Sequence, residues 1–368
     1  MTTSPTRVIV KVGSALLVDA QGQVRRQWLA TLVADIAAQN AGRAQVAIVS
    51  SGAIALGARR LGLGKGGRAS LEDAQASAAV GQIALAGVWA ELLSEHGLMA
   101  AQMLLTLDDL EDRRRYLNAR ATLDRLLGLG VVPVINENDS VATAEIRFGD
   151  NDRLAARVAQ VAGAERVILL SDVDGLYTAD PAIDPTAVRF DRVARIDADL
   201  MALAGRGSGS GMGSGGMLSK LEAARIAASA GVELVIVSGL HDHPLARLAG
   251  GECGTVFAAE GNAKGRKAWL AGRLKVRGTI HVDAGAAGAL QKGASLLPAG
   301  AMRVEGQFAR GDVIDIVGPD GTAVARGLSE YDANEAASIA GNRSDALAAL
   351  LGYAPRSCLV HRDQMVML

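Results

Sequence analysis

The chain has 368 residues, of which 49% are apolar, so it is long enough to build two hydrophobic cores. Its 38 Lys and Arg nearly balance 39 Asp and Glu, and only 3% of its residues are aromatic, which argues against a basic protein that stacks nucleic-acid bases. It lacks a signal peptide, no stretch approaches the roughly 20 uncharged apolar residues of a membrane span, and Cys253 and Cys358 form no paired framework. These features predict a soluble cytoplasmic protein with no membrane partner.

Short β-branched runs alternate with helical segments up to Ser238. This alternation predicts an α/β fold with a mostly parallel open sheet sandwiched by helices, whose ligands lie outside the carboxyl ends of the strands. The predicted strands are Arg7–Val12, Gln45–Ser50, Met99–Leu105, Val131–Ile135, Arg166–Ser171 and Glu233–Ser238. The predicted helices are Gln27–Gln39, Asp73–Ser94, Tyr116–Leu127, Asp152–Val161 and Leu218–Ala230.

The first two strands end in small turns that suit an anion. Lys11 lies at the end of the first strand, just before Gly13 and Ser14, and the second strand ends in Ser50 and Ser51. Turns of this kind present backbone N–H groups to a bound anion. Alone, Lys11 is equally consistent with a solvated lysine.

The fourth strand breaks into Asn136, Glu137, Asn138 and Asp139, and a second polar cluster follows at 150–152. Carboxylates and amides at the end of a buried strand lose hydration without a packing return, which favours a bound polar ligand. The alternative is a solvated turn in which Asp152 lies near a helix start, where such residues cap N–H groups.

The glycine-rich run Gly205–Gly216 leads through Ser219 and Lys220 into a helix. Its glycines allow backbone N–H groups to approach a polyanion, and the helix start adds positive potential beside Lys220. The spacing is not that of a Walker A loop. A flexible linker is the alternative. The dipeptide Asp174-Gly175, which follows the fifth strand, can be a simple turn with no functional role.

Two lysines, glycine-bearing turns and a set of carboxylates therefore converge on one sheet edge. Phosphoryl transfer needs this combination because it depends on positioning and charge neutralisation, here by two lysines and Mg²⁺. No histidine has a plausible partner for nucleophilic catalysis, and no His or Cys spacing is typical of a metal site.

The pattern changes near Gly261, where short strands with Gly and Pro turns begin to follow a polar segment. The predicted strands here are Thr279–Val282, Ala301–Glu305, Val313–Val317 and Ala323–Leu328. We therefore expect an α/β domain over 1–260, a linker over 261–277, a β-rich domain over 278–356 and a tail over 357–368.

Several strings in this order resemble the amino acid kinase family, and within it the members that phosphorylate glutamate and carry a C-terminal PUA domain. They are VKVGSALL at Val10, VSSGAIALG at Val49, QMLLT at Gln102, VPVINENDSVATAEIRFGDND at Val132, GLYTADP at Gly175, SGGMLSK at Ser214 and GYAPRSCLVHRDQM at Gly352. The resemblance covers nearly the whole chain. It implies an amino acid kinase fold followed by a PUA domain.

Position by position, the resemblance implies that Lys11 and Lys220 stabilise the transferring phosphoryl group while Asp152 holds both ammonium groups. It implies that glutamate contacts Ser51, Asp139 and Asn151, with Asn136 nearby, and that Asp150 positions metal or lysine. The implied ATP contacts are Lys11, Ser171, Asp172, Ser214, Gly215, Gly216, Met217, Leu218, Ser219 and Lys220.

The implied activity is ATP-dependent phosphorylation of the glutamate side chain with Mg²⁺, the first step of proline biosynthesis. No general base is needed because that carboxylate, with a reference pKa near 4.3, is already ionised at neutral pH. The resemblance also implies feedback inhibition by proline, a homo-oligomer, and association with glutamyl phosphate reductase. Two alternatives stay open: an acetylglutamate or aspartate kinase, and an RNA-binding PUA protein with a basic patch around Arg273, Lys275 and Arg277.

Overall fold

The computed structural model describes residues 5–19, 21–141, 151–205, 216–252, 254–260, 276–343 and 345–368. The chain divides into two compact units. One unit comprises Met1–Glu111 with Ala119–Glu260, and the other comprises Asp112–Asn118 with Gly261–Leu368. Asp150, Ser214, Gly215 and most of the predicted linker lie outside the described residues.

The first unit is built on a sheet that, in the described residues, has eight strands in the order β3-β4-β2-β1-β5-β7-β8-β6. Pairing is parallel from β3 through β7, whereas β8 runs antiparallel to β7. The strands are β1 (Arg7–Val12), β2 (Gln45–Ser50), β3 (Ala100–Leu105), β4 (Val132–Glu137), β5 (Arg166–Ser171), β6 (Arg192–Val193), β7 (Glu233–Ser238) and β8 (Thr255–Phe257). The predicted mostly parallel α/β fold is thus confirmed.

Helices connect these strands, as the alternating pattern predicts. The first unit's helices are α1 (Ser14–Leu17), α2 (Arg26–Ala41), α3 (Ala53–Leu61), α4 (Leu71–Ser94), α5 (Leu107–Glu111), α7 (Asn151–Ala162), α8 (Ala198–Gly205), α9 (Met217–Ser229) and α10 (Pro244–Ala249), and α6 (Arg113–Gly128) has residues in both units. Nearly all residues of β1, β2, β4 and β5 are buried, as expected for strands with helices on both faces. Trp28, Ile48, Leu85 and Trp89 are among the large side chains of this core.

Helices α3 and α4 cross at glycines. A Cβ atom on Gly57 would lie 1.8 Å from the Ser77 carbonyl oxygen, and one on Gly81 would lie 1.8 Å from the Ala53 carbonyl oxygen. Neither distance is possible for a real Cβ atom, so the two backbones approach as closely as they do only because both residues lack one. This crossing fixes the position of α4 relative to α3.

Helix α4 corrects one expectation from the sequence. By length and composition it could cross a bilayer, although no such segment was expected. Its apolar character is explained by packing, because Leu85, Trp89, Leu92 and Leu93 are all buried in the core of the first unit. Long core helices of globular proteins pass the same compositional test.

The second unit contains a sheet with the order β10-β9-β11-β12-β13 in the described residues. Its elements are β9 (Gly278–Val282), α11 (Ala284–Gln291), β10 (Ala301–Gly306), β11 (Val313–Val317), β12 (Ala323–Leu328), α12 (Ala333–Ile339), α13 (Leu347–Leu351) and β13 (Met365–Met367). Its core includes Ile280, Ile314, Tyr331 and Leu359. The predicted β-rich domain is confirmed, and residues 365–367 of the predicted tail add a strand that pairs with β12.

The glycine crossing predicts a contrast within one helix. Gly81→Ala should lower the free energy of unfolding by about 3 kcal/mol or more, because the added methyl group meets the α3 backbone. Gly87→Ala is the matched control, since a Cβ atom there meets nothing within 4 Å, and it should raise stability by about 0.5–1 kcal/mol. Urea unfolding of both variants measures the difference, and equal effects would contradict the close approach.

Candidate active site

One buried carboxylate holds two lysines at the carboxyl edge of the large sheet. Lys11 Nζ lies 2.6 Å from Asp152 Oδ1, and Lys220 Nζ donates a hydrogen bond to Asp152 Oδ2 at 3.2 Å. Lys11 comes from the central strand β1, Asp152 from the first turn of α7 and Lys220 from the first turn of α9. The structure therefore brings together the three residues that the sequence assigns to catalysis.

The charges in this cluster support one another. The side chains of Lys11, Asp152 and Lys220 are 11%, 2% and 8% exposed. Burial alone would raise the pKa of Asp152, but the two ammonium groups outweigh it and hold the pKa below its usual range. Asp152 is therefore an anion at neutral pH. With two cations and one anion, the cluster carries an excess positive charge that suits a phosphate.

A second group of polar side chains is linked through amide hydrogen bonds. Asn151 Nδ2 donates to Ser51 Oγ at 2.8 Å and to Asn136 Oδ1 at 3.1 Å. Asn136 Nδ2 in turn donates to Gln82 Oε1 at 2.8 Å. All four residues are buried. These hydrogen bonds join two of the predicted glutamate contacts, Ser51 and Asn151, with Asn136.

The third predicted glutamate contact, Asp139, lines a cavity of about 200 Å³ together with Gln82, Ile83, Leu104 and Glu137. Asp139 is only 6% exposed, and its Oδ1 atom has no hydrogen-bond partner among the described residues. A buried carboxylate oxygen without a partner is costly in a folded protein. Asp139 is therefore suited to receive a cationic group in this cavity.

Burial raises the pKa of Asp139 to about 6, and the positive charge of Arg68 opposes part of this effect. The carboxyl group is consequently ionised at neutral pH but loses its charge in mild acid. A cation placed beside it would favour the ionised form.

Apart from Lys11, the described residues that are predicted to contact ATP lie at the end of β5 and at the start of α9. Ser171 ends β5, and its hydroxyl donates to Asp172 Oδ1 at 3.0 Å. Gly216 is the N-cap of the 13-residue helix α9, which then presents Met217, Leu218, Ser219 and Lys220 in its first turn. A helix start of this kind attracts anions. Asp174 accepts hydrogen bonds from Tyr177 and Arg189, which agrees with its interpretation as a turn residue.

Sequence reasoning missed Gln82 and Arg68. Gln82 lies within α4, where a single glutamine is indistinguishable from a solvated surface residue, and only tertiary packing brings it to Asn136. Arg68 precedes α4 in an exposed loop, and the sequence offers no signal for its electrostatic effect on Asp139.

No group of three or more His, Cys, Asp or Glu side chains in the described ranges could hold a metal ion. A metal ion can also be held mostly by the oxygen atoms of a bound ligand. Mg²⁺ commonly binds in this manner, through substrate phosphates and few protein ligands.

The chain has close relatives of known name. The sequence model of the amino acid kinase family matches residues 6–238, and that of the PUA domain matches residues 278–351. The chain is 66% identical to a glutamate 5-kinase from Sphingopyxis alaskensis over 98% of this chain and 97% of the relative, and 60% identical to one from Zymomonas mobilis over 98% and 91%. Among solved structures, UMP kinase from Ureaplasma parvum covers 70% of this chain and 100% of its own, with 15% identity and a TM-score of 0.48.

The raised pKa of Asp139 predicts a stability effect. In the folded chain Asp139 keeps its proton up to about pH 6, whereas in the unfolded chain it releases the proton near pH 3.8. The free energy of unfolding therefore falls as pH rises between these values, and above about pH 6 the full cost of burying the charged carboxylate applies. Asp139→Asn removes the penalty and should raise the free energy of unfolding at about pH 8 by about 1–3 kcal/mol, with little gain at about pH 3. Urea unfolding at both pH values measures the effect.

Asp242→Asn, the same change at an exposed position, is the control and should leave stability nearly unchanged. A destabilised Asp139→Asn protein at the higher pH would contradict the burial penalty.

Proposed function

Because the chain belongs to the amino acid kinase family, we propose that it transfers the γ-phosphoryl group of ATP to the side-chain carboxylate of L-glutamate. The product is L-glutamyl 5-phosphate, the first intermediate of proline biosynthesis. The observation that carries the proposal is the pair of buried ammonium groups, on Lys11 and Lys220, held by Asp152. The acceptor is assigned from the relatives of the chain and from the chemistry of the Asp139 cavity.

The reaction joins two anions. A carboxylate oxygen of glutamate attacks the γ-phosphorus of ATP, a new O–P bond forms, and the bond to the β-phosphate oxygen breaks to release ADP. No proton has to be removed, because the attacking carboxylate is already ionised. The protein must therefore supply positive charge and alignment rather than a general base.

Lys11 and Lys220 supply that charge. Asp152 fixes both ammonium groups before substrates bind, so their positions cost little reorganisation during the reaction. We assign Lys11 and Lys220 to stabilisation of the transferring phosphoryl group and Asp152 to positioning. Ser171, Asp172 and the 214–220 segment are assigned to ATP.

The described residues fit a Mg²⁺ ion that is carried by the phosphates of ATP. Asp152 is committed to two lysines, and no metal-binding cluster lies in the described ranges. When bound, the ion would neutralise phosphate charge. Asp150, which lies outside the described residues, is a proposed contributor to metal or lysine positioning.

The cavity favours an acceptor with a free ammonium group. The unpartnered oxygen of Asp139 is suited to the α-ammonium group of glutamate, and an N-acetylated amine could not provide that charge. Ser51 and Asn151 complete the proposed glutamate contacts. This chemistry argues against an acetylglutamate kinase.

Proline shares the α-amino acid group, and we propose that it inhibits at or near the same cavity. We further propose a soluble cytoplasmic homo-oligomer that associates with glutamyl phosphate reductase, since an acyl phosphate is exposed to hydrolysis. Residues 1–260 form the proposed kinase domain, 261–277 the linker, 278–356 the PUA domain and 357–368 the tail.

The test of the function is an acceptor panel. The purified chain, supplied with Mg²⁺ and ATP, is assayed for ADP release and for trapping of the acyl phosphate by hydroxylamine with glutamate, N-acetylglutamate or aspartate. We expect both signals with glutamate at a rate well above those with the other acids. A faster reaction with either of the others, or no reaction with glutamate, would overturn the proposal.

Removal of one ammonium group should affect turnover most. Lys220→Ala is expected to lower kcat by at least about 100-fold, as for loss of one preorganised donor, while KM for glutamate changes much less. Lys292→Ala, at an exposed position of the second unit, is the control and should leave kcat unchanged. Near wild-type turnover of Lys220→Ala would remove Lys220 from the mechanism.

The role of Asp139 predicts a pH-dependent KM. Asp139→Asn should raise KM for glutamate by at least about tenfold at neutral pH, because it removes the charge that pairs with the ammonium group. The KM of the unaltered protein should rise as pH falls through about 6, where the carboxylate gains a proton, and the variant should lack this inflection. KM for ATP is the internal control. An unchanged KM for glutamate in Asp139→Asn would contradict the assignment of Asp139 to the ammonium group.

A further inference from the structure

Gln82 has a buried side chain that lines the proposed acceptor cavity. It has no role in the proposed contacts with phosphate or with the ammonium group of the acceptor. It lies in the middle of α4 and is only 8% exposed. It lines the same cavity as Asp139. The close crossing of α3 and α4 at Gly81, the preceding residue, fixes the backbone from which Gln82 projects.

Hydrogen bonds determine which way the Gln82 amide points. The backbone N–H of Glu137 donates to Asn136 Oδ1 at 2.9 Å, and a backbone N–H can only donate, so the other terminal atom of Asn136 must be its NH₂ group. That group donates to Gln82 at 2.8 Å, and the accepting atom of Gln82 must therefore be Oε1. The NH₂ group of Gln82 is consequently left on the side away from Asn136.

This NH₂ group has no acceptor among the described residues. Gln82 Nε2 is buried and makes no hydrogen bond with any described residue. In folded proteins nearly all buried donors have a hydrogen-bond partner, because an unpaired donor loses its hydration without compensation. The arrangement is that of a site whose missing acceptor belongs to a ligand.

Among the described residues, the cavity thus offers an unpaired donor on Gln82 and an unpaired acceptor, Asp139 Oδ1. An α-amino acid presents the complementary pair, an α-carboxylate that accepts and an α-ammonium that donates. Asp139 is suited only to the cation, so the donor on Gln82 is available for the anion.

We infer that Gln82 Nε2 donates a hydrogen bond to the α-carboxylate of the acceptor and that Gln82 determines specificity for a free α-carboxylate. The inference rests on the proposed function, since it names a contact of the proposed substrate. It assigns to Gln82 two connected tasks: Oε1 holds Asn136 in the amide network, and Nε2 recognises the substrate.

The test compares two acceptors, glutamate and isoglutamine. In isoglutamine a carboxamide replaces the α-carboxylate. Both retain the side-chain carboxylate that is phosphorylated. Gln82→Glu retains an oxygen that can accept from Asn136 Nδ2 but replaces the donor with a negatively charged oxygen. The variant should lower the kcat/KM ratio of glutamate to isoglutamine by at least about tenfold, mainly through a higher KM for glutamate.

Gln102→Glu is the matched control. Gln102 lines the same cavity but is exposed, so the change adds the same charge without entering the amide network. A general electrostatic effect on acidic acceptors would lower the ratio in both variants, whereas a specific contact lowers it chiefly in Gln82→Glu. A purely structural role of Gln82 would reduce activity with both acceptors alike and leave the ratio unchanged, which would overturn the inference.

A measurement on the unaltered protein covers the case in which Gln82→Glu fails to fold. If Gln82 recognises the α-carboxylate, the unaltered chain should use glutamate at least about tenfold better than isoglutamine. Equal use of the two acceptors overturns the inference while the proposed function stands. Failure to phosphorylate glutamate at all would instead remove the proposed function.

Discussion

The contact of one buried carboxylate with two ammonium groups is the constraint on which the site depends. Lys11, Asp152 and Lys220 come from a central strand and two separate helices, so their meeting requires the sheet and both helices to be correctly placed. Two buried lysines alone would repel each other and lose their hydration. Asp152 makes their proximity possible and leaves net positive charge where a polyphosphate is expected.

Beside this charged cluster lies a network of uncharged amides, to which we assign a different role. Charge attracts phosphate at some distance, but amides discriminate through the direction of their donors and acceptors. The chain from Ser51 through Asn151 and Asn136 to Gln82 transmits one fixed orientation from the main chain of β4 into the cavity. In the proposed reaction, the positive cluster serves catalysis and the amide network serves recognition.

The sequence predicted most of the first sheet because buried parallel strands are apolar runs with clear ends. Four of its strands, β1, β2, β5 and β7, have the predicted bounds. β4 continues past its predicted end at Ile135 to Glu137. The last two residues are polar, and polar residues at the end of an apolar run do not show the pattern of a buried strand. Strands β6 and β8, which lie together at one end of the sheet, are too short to show a period.

Convergence of Lys11, Asp152 and Lys220 followed from strand-edge topology together with the family resemblance. Gln82 could not be found in this way, since its environment is created by tertiary packing. The depth at which Trp89 and Leu93 of α4 are buried likewise depends on tertiary packing, which the sequence alone does not measure.

The glycine crossing of α3 and α4 limits how the proposed acceptor cavity can change shape. With backbones in direct contact at Gly57 and Gly81, α4 has no room to slide or tilt towards α3. One wall of the cavity is thus rigid, and an acid of different length must be accommodated by exchanging side chains such as Ala78, Ala79 or Ile83. For the proposed acceptor site, preference can therefore change by point substitution along one face of α4, but not by movement of the whole helix towards α3.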